Sequence, residues 1–174
     1  MPVRLLLVAC TLLFWLSSAS ADIRFRQWAE DPDVPKWQES ELKLPDFPKE
    51  ENLLPFDVSA TTPNRFFIDG KSIGAAGDGV VRYTLVVKTA GGATNITFEG
   101  IRCESVEYRL YATGRADGTW TLARASTWRA IENKPINRQH AALSRDYFCP
   151  NHIPIGTPEE GRNALKLGKH PNAS

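Results

Sequence analysis

The sequence predicts a mainly β protein, an antiparallel meander forming a sandwich or partial barrel, with an extended N-terminal segment and one or two short C-terminal helices. Three observations carry that expectation. Runs of alternating apolar and polar residues fill the middle of the chain, glycine-bearing turns separate them at hairpin spacing, and helical spacing is confined to the region from Arg138 onward.

The first element is an export signal over residues 1–21. Arg4 supplies the positive flank and Leu5 to Leu16 an apolar run. Ala19-Ser20-Ala21 then places alanine where signal peptidase accepts only small side chains, so cleavage is expected before Asp22. The run is too short for a retained span, because crossing a bilayer as a helix takes roughly 20 apolar residues, so no transmembrane anchor is expected after cleavage. Cys10 has the small-residue approach of a lipidation site, but a cut there would divide the apolar run and leave Thr11 to Leu16 on the product.

Residues 22–54 form the second element. Pro32, Pro35, Pro45 and Pro48 interrupt any regular period, which makes the segment extended, while Trp28, Trp37, Leu42, Leu44 and Phe47 make it too apolar for a free linker. It is expected to lie across the domain formed by residues 55–174 and to bury its aromatics there.

Strands follow. Phe66-Phe67-Ile68 and Ser72-Ile73 are short apolar runs, and Val81, Tyr83, Leu85 and Val87 then alternate with Arg82, Thr84 and Lys88 as a half-buried strand. Gly91-Gly92 turns the chain into a strand ending at Cys103. Its parity slips between Phe98 and Ile101, so Gly100 is expected to mark a bulge. Val106, Tyr108, Leu110 and Ala112 share one face of the next strand, and Asp117-Gly118 leads into another in which Trp120 and Leu122 point inward.

Helical spacing appears at Ala141, Ala142, Leu143 and Tyr147, and a second helix opens at Thr157-Pro158-Glu159-Glu160. There Thr157 can cap, Pro158 suits the first position, the acids complement the positive helix end, and Gly168 stops the helix. After signal removal two cysteines remain, Cys103 and Cys149. In an oxidising compartment a disulfide between them is the economical reading, worth about 4 kcal/mol on the chain-entropy model. The competing reading makes Cys149 and His152 zinc ligands, with Cys103, His140 and His170 left to complete a site that has no second paired motif. No metal or cofactor is expected.

Charge narrows the partner. Without Arg4 the chain carries 20 basic and 20 acidic residues, interspersed along its length, which argues against nucleic acid and against a polybasic membrane patch.

The blocks from Asp78 to Val87, Phe98-Glu99-Gly100-Ile101-Arg102-Cys103, Asp117-Gly118-Thr119-Trp120 and Asp146-Tyr147-Phe148-Cys149 resemble the CNP1-like family, uncharacterised exported proteins of Gram-negative bacteria. The resemblance runs from about Trp28 to Gly168. It implies one domain and an envelope location, hence the periplasm. It implies no reaction, and no catalytic residue is carried over.

Motifs for chemistry are sparse. Asp69-Gly70-Lys71-Ser72 ends like a phosphate-binding loop, but Arg65 replaces its leading glycine, so it reads as a turn. His140 and Ser144 stand four apart without an orienting acid or oxyanion donors. The informative set is Arg82, Glu99, Arg102 and Arg109, charges inside apolar strands that need partners. Cross-strand pairing, for instance Arg82 with Glu99, would satisfy them. Alternatively Arg82 and Arg102, with Trp120 and Trp128, form a pocket for a carboxylate or a glycan. The leading expectation is a non-catalytic envelope module that binds a protein, peptide or glycan, or plays a structural part. The alternative is an envelope hydrolase or lyase whose acid and base come from separated groups such as Glu99, Asp78 and His140.

Overall fold

The computed structural model describes residues 36–135 and 138–174. The expected export signal and the first part of the proline-rich segment lie outside these residues. Among the described residues no helix is long and apolar enough to cross a membrane.

The organising strand is β4 (Val80–Lys88), whose first seven residues are all buried because both its faces are covered. It pairs along its whole length with β5 (Thr94–Arg102). Its other edge is shared by β2 (Arg65–Asp69) and the two-residue β3 (Gly74–Ala75), and β1 (Leu53–Phe56) pairs with β2. On the far side β6 (Glu107–Gly114) pairs with β5, and its outer edge is shared by β7 (Trp120–Leu122) and β8 (Arg129–Ala130). These eight strands make one antiparallel sheet in the order β1-β2-β4-β5-β6-β7.

Helices cover one face. Helix α1 (Arg138–Ala142) runs directly into a π-helical stretch (Leu143–Phe148), and α2 (Pro158–Leu167) follows. Leu143, Tyr147, Phe148, Ala164 and Leu165 form the main core with Ile68, Val81, Tyr83, Leu85 and Ile101 from the sheet. The α2 boundaries follow the local chemistry: Thr157 accepts the Glu160 N–H, Pro158 takes the first position, and Gly168 ends the helix at φ 79°. A disulfide of 2.08 Å joins Cys103, at the end of β5, to Cys149 after the π-helical stretch, so the helical layer is tied covalently to the sheet.

The opposite face carries a second cluster of Phe98, Tyr111 and Ala112, against which Leu42 and Trp120 pack. Leu42 belongs to residues 37–49, a strap without helix or strand. The strap's Phe47 lies 5.4 Å from the Trp120 ring, and Trp120 Nε1 donates to the Pro45 carbonyl at 3.0 Å.

The open sheet has helices where a sandwich would have a second sheet, and it does not close into a barrel. Regular strand already begins at Leu53, inside the segment read as extended. Gly100 is not a bulge: it pairs regularly with Arg82 and Arg109, and the register slips instead between Phe98 and Glu99, where Tyr111 of β6 is the extra residue. The slip in parity at Gly100 reflects burial on two faces, Phe98 on the strap side and Ile101 on the helical side. The Tyr111 bulge also moves Ala112 to the strap side, away from Tyr108. Val106 sits in the preceding turn at φ 53°, and Leu122 is 62% exposed rather than inward.

Candidate functional site

On the strap side, Arg82 and Arg109 stand on β4 and β6, each opposite Gly100 of β5, so no side chain separates them. The strap places Glu39 between them. Arg82 Nη2 donates to Glu39 Oε1 at 3.2 Å, Arg109 Nη1 donates to Oε2 at 2.6 Å, and the Tyr111 hydroxyl also donates to Oε1. Arg82 and Arg109 thus close on the chain's own carboxylate.

The same face anchors the strap twice more. Asp78 accepts from Arg82 at 2.7 Å and from the Ser40 N–H at 2.8 Å, and its carbonyl accepts from Trp37 Nε1 at 2.8 Å. Burial raises the Asp78 pKa, but the hydrogen bonds from Arg82, Ser40 and Val80 outweigh it and bring the group down to about 2. Arg102 stacks its guanidinium 4.5 Å from the Trp37 ring and 5.3 Å from Trp128, and it also pairs with Glu107. Arg102 and Trp128 thus meet, whereas Trp120 belongs to the separate Phe47 and Phe98 group.

Glu99 lies on the helical side of the sheet, opposite Tyr83, so the expected pairing with Arg82 does not form. Its partner is His140, brought over by α1: Nε2 lies 2.8 Å from Glu99 Oε2. Tyr83 donates to the same oxygen at 3.2 Å, and Thr97 Oγ1 donates to Oε1 at 2.8 Å. Tyr108 stacks on the His140 ring at 3.9 Å. Burial pushes the Glu99 pKa up, but His140 beside it and the hydrogen bonds from His140, Thr97 and Tyr83 bring it below the usual value. Burial and the neighbouring Glu99 charge hold the Tyr83 phenol far above its ordinary range.

Glu99 and His140 therefore converge, while Asp78 sits across the sheet with Arg82. The hydrogen bond of His140 goes to Glu99 and not to Ser144. Cys149 is bonded to Cys103, which removes it as a zinc thiolate, and no cluster of three metal-ligating side chains occurs among the described residues.

A cleft of about 410 Å³ opens between the loop after β1, the far ends of β4 and β5, and the start of α1. Val58, Phe66, Leu85 and Val87 form its apolar wall, with Asn64, Asn95 and Arg138 among the polar residues. Thr97 and Glu99 also line it, and Glu99, 5% exposed, is its most buried polar residue. A second cavity of about 290 Å³ beside Cys149 is lined by Val106, Asn151 and His152, the non-glycine residues with left-handed backbone among those described. No buried ionised group lies at its wall.

Sequence reasoning singled out Arg82, Arg109, Glu99 and His140 but not Glu39, Tyr111, Tyr83 or Thr97. Glu39 is 43 residues from Arg82, and no local period connects them.

The model of the CNP1-like family matches residues 32–166. Cryptic neisserial protein 1 of Neisseria gonorrhoeae is 24% identical over 151 residues, covering 77% of this chain and 74% of its own length. No solved structure matches.

Proposed function

Because the chain belongs to the CNP1-like family, a family of uncharacterised proteins, we propose from its geometry that it is a non-catalytic binding module of the periplasm, whose ligand enters the cleft above Glu99. The carrying observation is that an almost fully buried carboxylate lines a cleft of about 410 Å³, a size suited to a small molecule or to the end of a longer one. Apolar residues on one wall and amides on another supply the usual mixture of burial and orientation.

Two features favour binding over catalysis. Despite burial, Glu99 is held below its ordinary pKa by His140 beside it and by the hydrogen bonds from His140, Thr97 and Tyr83, whereas a general acid at neutral pH needs a raised carboxyl. Asp78, the other carboxylate considered for acid–base work, faces the opposite side of the sheet. The arginine and tryptophan face serves the strap. The periplasmic assignment is supported by the apolar run and the Ala19-Ser20-Ala21 motif.

The test immobilises the folded protein, incubates it with solubilised envelope extract, and identifies what is retained by mass spectrometry. Val87→Trp fills the cleft and is expected to abolish retention, while Arg109→Ala on the other face leaves it intact. The reverse pattern would transfer the binding role to the strap side. Amino-terminal sequencing of protein from the periplasmic fraction is expected to start at Asp22; recovery only in the cytoplasm with residues 1–21 retained would overturn the location.

A further inference from the structure

Resting on the cleft reading above, we propose that the ligand carries a primary ammonium, seated on Glu99 Oε1 and Thr97 Oγ1, with an aliphatic portion against Val58, Phe66, Leu85 and Val87. Each carboxylate oxygen offers two acceptor directions. Glu99 Oε2 receives Tyr83 and His140 from the protein interior, while among the described residues Oε1 receives only Thr97, which itself lines the cleft. One acceptor direction therefore stays open on Oε1. The Thr97 hydroxyl has given its proton to Glu99, so its oxygen can only accept from a ligand. Both polar atoms at the buried end of the cleft thus ask for donors.

Charge selects among donors. His140 beside it and the hydrogen bonds from His140, Thr97 and Tyr83 hold Glu99 below the usual carboxylate range, so the open acceptor belongs to an ionised carboxylate. A hydrogen bond to a carboxylate oxygen is strongest from a charged donor, so the open direction on Oε1 favours a cation. Arg138 does not supply it, since its Nη1 is turned toward Ser59 Oγ at 3.2 Å. An ammonium combines three donors with a positive charge, whereas a carboxylate or phosphate would be repelled. The apolar wall next to Thr97 fits an aliphatic chain attached to that ammonium.

Free small amines and the amino terminus of a peptide share this chemistry, and the experiment separates them. Isotope-labelled full-length protein is titrated by NMR with leucinamide, N-acetylleucinamide and the tripeptide Leu-Ala-Ala at constant pH and salt. Leucinamide is expected to shift the amides of Leu85, Val87, Thr97 and Glu99, and the acetylated compound, which lacks the ammonium, to bind about tenfold more weakly or worse. A tripeptide that binds as tightly as leucinamide identifies a chain-borne amine; weaker binding identifies a free one. Thr97→Val is expected to weaken leucinamide by a similar factor while the His140 ring signals stay in place. That variant serves as the folded control if Glu99→Gln proves unstable. Equal binding of the acetylated compound at the same residues overturns the ammonium but leaves the cleft as a binding site. No shift at these residues with any compound overturns the ammonium proposal, and the extract experiment with Val87→Trp then decides the cleft reading separately.

Discussion

At the scale of single residues, Gly100 shows how one missing side chain organises a face. A Cβ there would lie 2.6 Å from the Tyr111 hydroxyl and 2.9 Å from Val80 Cγ1, so Gly100→Ala must displace the tyrosine that meets Glu39. The expected cost is about 1–3 kcal/mol in chemical denaturation, and a wild-type midpoint would show that Tyr111 yields freely. Asp78 makes a pH prediction. Its folded pKa of about 2 lies below the ordinary carboxylate value of about 3.9, so its contribution is fully present above that value and is lost as pH falls toward 2. The stability difference between wild type and Asp78→Asn is expected to be about 1–2 kcal/mol at neutral pH, with allowance for nearby solvent, and to narrow between about pH 4 and pH 2. A difference that stays constant across that window would mean that the Asp78 charge contributes nothing.

At the scale of elements, the strap is held mainly by side chains, because residues 37–49 have no strand partner. Removing its carboxylate leaves Arg82 and Arg109 facing each other without Glu39. Glu39→Ala is expected to cost about 2 kcal/mol and to speed tryptic cleavage at Lys43 while the sheet stays protected. Cleavage at the wild-type rate would assign the anchoring to the aromatics instead. The strap also marks how far the sequence could be read. Helix α2 was legible because Thr157, Pro158 and Gly168 act within one turn of their own positions. The run Val81, Tyr83, Leu85 was legible because alternation is a property of a single strand. The bulge at Tyr111 was not, since a strand covered on both faces has apolar residues at both parities and Phe98 followed by Ile101 imitates a slip. Glu99 and His140 could be suspected individually as polar residues among apolar ones. Their contact depends on α1 crossing the sheet above β5, and no spacing in the chain encodes that.

At the scale of the whole molecule, the disulfide adds a covalent tie between two layers that packing and hydrogen bonds such as that of Glu99 with His140 also hold together. It closes a loop of 46 residues, so reduction is expected to lower stability by about 4 kcal/mol, measured by denaturation with and without reductant. A negligible change would indicate that the reduced, unfolded chain already keeps those regions together. The edges of the sheet have a different consequence. On one side the outermost strand is the four-residue β1, which includes Pro55 and so lacks one backbone donor; on the other the edge is divided between three-residue β7 and two-residue β8. An eight-stranded sheet would ordinarily offer neighbouring molecules a long template for strand addition, the route to fibres. Here both borders are too short or too interrupted to extend a cross-β stack, so the protein can remain dispersed at high local concentration while most of its β structure stays sealed inside.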